Sequence, residues 1–226
     1  AVAKELAQVS YDAFQTAAQA ARDYGANVKD TLEVEADLAA IGLKGAELRR
    51  ATTQVVKSAT LGEIDYQDAL NATVAMQSVF RMDSQKTAEA WAYMNSVENA
   101  TSLAMADFAK AIPIAAAPVR DFGGDIRELG LLLTAMKENG VGAVQGANAL
   151  KAAMQRLGRP SKQIQEEFKA ITGENIVELV DTSESLTEVF QRINEVTSDL
   201  SAPQKRDVFA GLFGAYQLTR MRALID

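Results

Sequence analysis

The chain lacks histidine and cysteine altogether, and it carries only four prolines, one tryptophan and 6% aromatic residues in 226. Without histidine it has no general base that titrates near neutrality, and without cysteine it has neither a thiol nucleophile nor the usual zinc ligands. No disulfide framework is open to it. An enzyme here would have to work with carboxylates or lysine alone. No run of 18 uncharged apolar residues exists, so no membrane-crossing helix is written in it. The nearest stretch, residues 103–119, holds Asp107, Lys110, Pro113 and Pro118 and is expected to be buried, either inside a helical bundle or against another copy or protein. The chain opens on alanine with no signal-peptide pattern, which leads us to expect a piece or processed form of something longer.

What the chain has in quantity is alanine, 40 residues against 18 glycines and prolines together. Alanine is the strongest helix former and glycine and proline the weakest. The expected class is therefore all-α, a bundle of short antiparallel helices with a longer N-terminal helix. Net charge is −7 and the sequence pI near 4.8, which argues against duplex nucleic acid as a partner, because phosphate contacts need a basic face.

Along the chain, Val2, Leu6, Val9, Ala13, Thr16 and Ala20 alternate spacings of four and three. This heptad seam fits either a coiled coil or an amphipathic helix packed on its own domain. Helices are expected over 29–41 and 46–59, which with the first make a lead-in of residues 1–61. In residues 62–226, Asp65 and Asp83 are N-cap signals. Ala90, Trp91, Met94 and Val97 form one stripe, and Met105, Phe108, Ile112 and Val119 another. Pro113 and Pro118 predict a kink or break near Ile112. Ile126, Leu129, Leu133 and Met136 predict an amphipathic helix closed by Asn139-Gly140. Ala143, Ala147, Leu150, Met154 and Leu157 predict its partner, so that the two form a short-looped hairpin. Residues 175–182 are the only strand-like patch and are read as an irregular connector. Ser185-Leu-Thr-Glu188 and Ser201-Ala-Pro-Gln204 are capping boxes. Two last helices, 204–213 and 215–224, are expected to be interrupted at Gly214.

No constellation points to catalysis. The acidic groups Glu166-Glu167, Glu33-Glu35-Asp37 and Asp65-Asp68 read as solvated helix faces, no calcium-loop spacing occurs, and Gly123-Gly124 and Gly140-Val-Gly142 lack the context of a phosphate loop. We expect no cofactor and no metal. Lys151, Arg156, Arg159 and Lys162 form a basic cluster, read first as a helix end complementing its dipole. It could alternatively meet the acidic 166–199 segment of a neighbouring copy, or nucleic acid in a confined channel.

The stretch from Gly130 to Pro160 carries a family resemblance. Leu131-Leu132-Leu133, the Asn139-Gly140 turn, the Gln145-Gly146 step, Ala149-Leu150-Lys151-Ala152-Ala153 and the Arg156-Leu157 exit before Pro160 together resemble the conserved core of phage tail tape measure proteins. Asn95 to Thr101, Phe108 to Pro113 with Ala115-Ala116-Ala117, and Leu200-Ser201 with Leu212-Phe213-Gly214 match in the same order. The resemblance runs from about Gly62 to Ile225. One departure is Lys151 where many members carry arginine, which would lose a bidentate contact.

The resemblance implies a non-enzymatic structural protein of the virion, in the tail lumen or at the tail tip. Such a protein sets tail length during assembly of a siphophage-type tail and leaves ahead of the DNA at genome ejection. Its implied partners are other copies of itself, with a three-fold complement, and tail-tube and tail-tip proteins. Host-membrane contact at ejection is a further expectation of the family. Phe108, Ile112, Pro113, Pro118, Lys151, Arg156 and Arg159 are the expected interface residues. A helical adaptor without a phage role, and a carboxylate- or lysine-based enzyme, are the alternative readings.

Overall fold

In a computed structural model, which describes residues 2–225 and their side chains from residue 11 onward, capping residues cut the alanine-rich sequence into thirteen α-helices with no strand among the described residues. These are α1 (Val2–Tyr24), α2 (Val28–Ala40), α3 (Gly45–Leu61), α4 (Tyr66–Ser78), α5 (Ser84–Ala100), α6 (Met105–Asp121), α7 (Ile126–Glu138), α8 (Ala143–Leu157), α9 (Lys162–Thr172), α10 (Ile176–Asp181), α11 (Leu186–Thr197), α12 (Ala202–Phe213) and α13 (Leu218–Met221), the last running into a 3-10 turn over Arg222–Leu224. Side-chain caps set most of the starts. Asn27, Asp65, Asp83, Asp125, Ser161, Asn175 and Ser185 each accept from a backbone N–H of the first turn, satisfying donors that have no partner inside the helix. The Ser201/Gln204 box is complete. At the other box Ser185 Oγ accepts from Glu188 N, but the Glu188 carboxylate reaches Glu184 N rather than Ser185 N.

The middle of the fold is α6, packed between α4 and α8. Met105, Phe108, Ala109, Ala111, Ile112, Ala115, Ala116 and Val119 are all buried on it. Alanines on this face let the three helices approach closely. The expected break does not occur, and α6 runs continuously through Pro113 and Pro118. Each proline withdraws one helix hydrogen bond, but Pro113 is exposed and Pro118 half-buried. Both rings thus lie away from the fully buried face, and packing on two sides holds the helix together. Burial of the 103–119 stretch is consequently intramolecular. Ala116 is fully buried by the chain's own helices.

One core cluster extends from Val34 on α2 to Ile225. The longest helix, α1, packs on α2 and α3 through Thr16, Ala17 and Ala20. Val2, Leu6 and Val9 of the heptad seam lie outside the described side chains. Residues 175–182 are a correction. Ile176 and Leu179 are buried on α10, three residues apart, with Val180 packed against the core. Helical spacing is present, but the β-branched Ile176, Val177 and Val180 on so short a segment resemble a strand. Arg192 pins its end by donating to Leu179 O at 2.9 Å and Thr182 Oγ1 at 2.7 Å. The expected helix over 215–224 is also shorter, because Gly214 turns the chain at φ 86°, ψ 139° and a turn over 215–217 follows.

Candidate interaction surfaces

The α7–α8 hairpin turns at Gly140, whose φ is 81°. Gly140 N and Val141 N return to Lys137 O and Met136 O, both at 2.9 Å, as in a left-handed helix end. Leu132 and Leu133 are buried while Leu131 is 55% exposed, so the leucine run is amphipathic. Gly146 lies on the inner face of α8. A Cβ there would stand 3.1 Å from the Met136 sulfur and 3.4 Å from Leu133 Cδ2, so its absence lets α8 lie close on α7. Gln145 beside it is exposed. Leu150 and Leu157 are buried, and Pro160 ends the unit with its carbonyl accepting from Gln165 Nε2 at 2.8 Å.

Two motif pieces far apart in sequence meet at Arg156. Its Nη1 donates to Gly211 O at 3.2 Å, at the C-terminal end of α12, where a cation complements the helix dipole. A Cβ on Gly214 would lie 3.2 Å from Arg156 Nε. The Arg156-Leu157 exit thus docks on Leu212-Phe213-Gly214, where Leu212 and Phe213 are buried and Phe213 stacks, tilted, near Phe190 and Phe209 at 6.1 and 6.0 Å.

The structure divides the expected interface residues. Phe108 and Ile112 are fully buried in the chain's own core and cannot reach a second molecule from this fold, which corrects their reading as interface. Pro113 is exposed. Pro118, Lys151 and Arg159 line one cleft at the C-terminal ends of α6 and α8, floored by Phe122 and Met154. Asp121 from α6 also lines it and is held by Arg120 at 2.8 Å, an acid that linear spacing around Lys151 could not reveal. Lys162 opens α9 and is exposed.

The carboxylate groups disperse. Asp65 caps α4, Asp68 faces Lys110 at 3.7 Å, Glu33 pairs with Lys29, and Glu167 accepts from Gln163. Among the described residues, no three acidic side chains converge as a metal-binding set. Glu35 corrects the reading of a solvated face. It is 6% exposed and its Oε2 has no hydrogen-bond partner. Burial raises its carboxyl above the ordinary 4.5, Arg49 opposes this, and Asp12 adds to it. A carboxyl raised on folding holds its proton more tightly in the folded chain. Its contribution to stability is therefore full below about 4.5 and lost as pH rises through the folded value. Glu35→Gln is expected to raise the melting temperature at neutral pH and to leave it nearly unchanged at pH 4. An equal shift at both pH values would refute this.

Sequence reasoning missed two contacts. Gly130, in mid-helix, has Tyr93 Oη 2.6 Å and Phe108 ring carbons 3.0 Å from where its Cβ would be. A glycine inside a leucine-rich helix is the signal for such an approach. Glu128 accepts from Thr187 N at 2.8 Å and Thr187 Oγ1 at 2.9 Å, tying α7 to α11, and nothing local announces it.

No helix among the described residues is long and apolar enough to cross a membrane. No solved structure matches this fold. A family model described as phage-related minor tail protein matches residues 15–214, a span that takes in the hairpin, the Arg156 contact and the Leu-Phe-Gly turn. With nearly the whole chain inside that match, the chain belongs to the phage-related minor tail protein family and is a structural protein of the phage tail.

Proposed function

We propose that the chain is the folded, conserved region of a tape measure protein, which sets tail length during assembly and leaves ahead of the DNA at ejection. The observation that carries this reading is the Arg156 contact. It joins the hairpin exit to the Leu212-Phe213-Gly214 turn, two of the ordered motifs that resemble the tape measure core. In a straight helix each residue adds about 1.5 Å, so chain length converts linearly to tube length. This region is a poor ruler, because its longest helix has 23 residues and the rest folds back on itself. Its role is that of an anchor, residues 62–226 holding the chain to tail-tip or tail-tube proteins or to other copies around a symmetry axis, with residues 1–61 as a helical lead-in. The Lys151/Arg159 cleft is a place for such contact. The chain acts without catalysis. The tail lumen or tip is its site, and a three-fold complement and contact with the host membrane at ejection belong to the same reading.

The test is tail length in electron micrographs of phage whose gene for the tape measure protein is altered in frame outside the part that encodes these 226 residues. Inserting a helical segment of about 60 residues should lengthen tails by roughly 90 Å. Tails of unchanged length would overturn the ruler function while leaving the family assignment intact.

A further inference from the structure

A groove between α3 and α5 is cationic although the chain as a whole is acidic. The chain carries net −7, yet Arg49, Arg50 and Lys57 line this groove and no acidic residue does. Among the described residues, Arg50 and Lys57 make no ion pair and no side-chain hydrogen bond. Arg50, Gln54, Lys57 and Leu61 recur at i, i+4, i+7 and i+11 and so share one stripe of α3, roughly 16 Å long at about 1.5 Å per residue. Across from them α5 presents Ala88 and Ala92, whose small side chains leave the groove open. At its far end Leu61 is 66% exposed over a pocket of about 280 Å³ in which Trp91, Met105 and two alanines stand beside Gln54, Lys57, Ser58 and Asn95. Gln54, Lys57 and Ala88 line both parts, so the cationic stretch and the pocket are continuous.

We propose that this groove docks an acidic amphipathic helix of another tail protein. Its carboxylates lie against Arg50 and Lys57, two turns apart, and one apolar side chain fills the pocket beside Leu61. The straight, helix-spaced lining matches a helical occupant, and the isolated cations supply the steering charge. Nucleic acid fits less well. Three cations on an acidic protein are few for a phosphate backbone, and Trp91, 3% exposed, offers no face for base stacking. Against a second copy as the occupant, its most acidic helix, α2, spends Val34 and Leu38 on the chain's own core, as α11 spends Val189, Phe190 and Ile193. The inference rests on the tail assignment and not on the ruler function.

The experiment is photo-crosslinking in assembled tails, with p-benzoylphenylalanine at Leu61 and, as an exposed control, at Asn71, the products being identified by mass spectrometry. The expected product from position 61 is a segment of another tail protein with acidic residues at helical spacing. Arg50→Glu with Lys57→Glu should cut its yield about tenfold or more, or keep the chain out of tails, while the purified variant melts as the parent does. Crosslinks to nucleic acid, to a second copy or to a segment without acidic residues would overturn the proposal. So would a yield no higher than from position 71, or one indifferent to the double reversal. If the double variant fails to fold, the wild-type crosslink measured at low and high salt decides in its place, a yield insensitive to salt counting against the proposal.

Discussion

Phe108→Ala should lower the melting temperature of the isolated chain by roughly 6–20 °C. Phe108 is fully buried at the centre of α6, edge-on to Tyr93 with ring centroids 6.4 Å apart, and its ring abuts the backbone of Gly130. Removing such a ring costs about 3–5 kcal/mol, the lost transfer energy plus the cavity that rigid helices cannot close, and about 2–4 °C accompanies each kcal/mol in a chain of this size. Thermal denaturation of the purified protein is the measurement. The result also decides between two roles. A residue that served an interface would leave the isolated chain's melting point unchanged and impair only assembly, so an unchanged melting point would return Phe108 to the surface.

Leu133→Ala should cost about 2–5 kcal/mol and, unlike Phe108→Ala, should show a specific coupling. Leu133 is fully buried, and its Cδ2 limits the space in front of Gly146. Once the leucine is cut back, a methyl group at position 146 has room on that side. Gly146→Ala should therefore be less damaging in the Leu133→Ala background than alone, a non-additivity expected of residues sharing one contact. Additive losses would show that Met136, whose sulfur is nearer at 3.1 Å, sets the approach of the hairpin. Lys151→Ala is the suitable control because its side chain is exposed. Lys137 is not, since it donates to Asp107 at 2.8 Å across to α6.

Family membership gives these core residues a functional meaning. The parts of the sequence that resemble the tape measure core are largely those that hold helices to one another: Gly146 against Leu133, and Arg156 against Gly211 and Gly214. A structural protein of the tail must keep its shape while other proteins assemble around it, and a core that fails on a single truncation would fail in that role before any surface was touched. The proposed docking surfaces are elsewhere, in the α3–α5 groove and the Lys151/Arg159 cleft.

Local sequence determined the helices, because their causes are local. Alanine content set the class, Asp65, Asp83 and Ser201 marked starts through donors that only a nearby side chain can satisfy, and Gly140 marked an end through a left-handed φ. The apolar stripes of α5, α7 and α8 were legible from their period, and so was their burial. Tertiary structure alone decided the rest. It kept α6 whole through two prolines, because burial of a helix face between α4 and α8 outweighs the loss of two hydrogen bonds. It moved Phe108 and Ile112 from a supposed interface into the core. It also parted Arg156 from Lys151 and Arg159, which face a different cleft, and set Arg50 and Lys57 beside a wall of α5. Those outcomes depend on which helices become neighbours across tens of residues, and the spacing of residues along one helix does not contain that information.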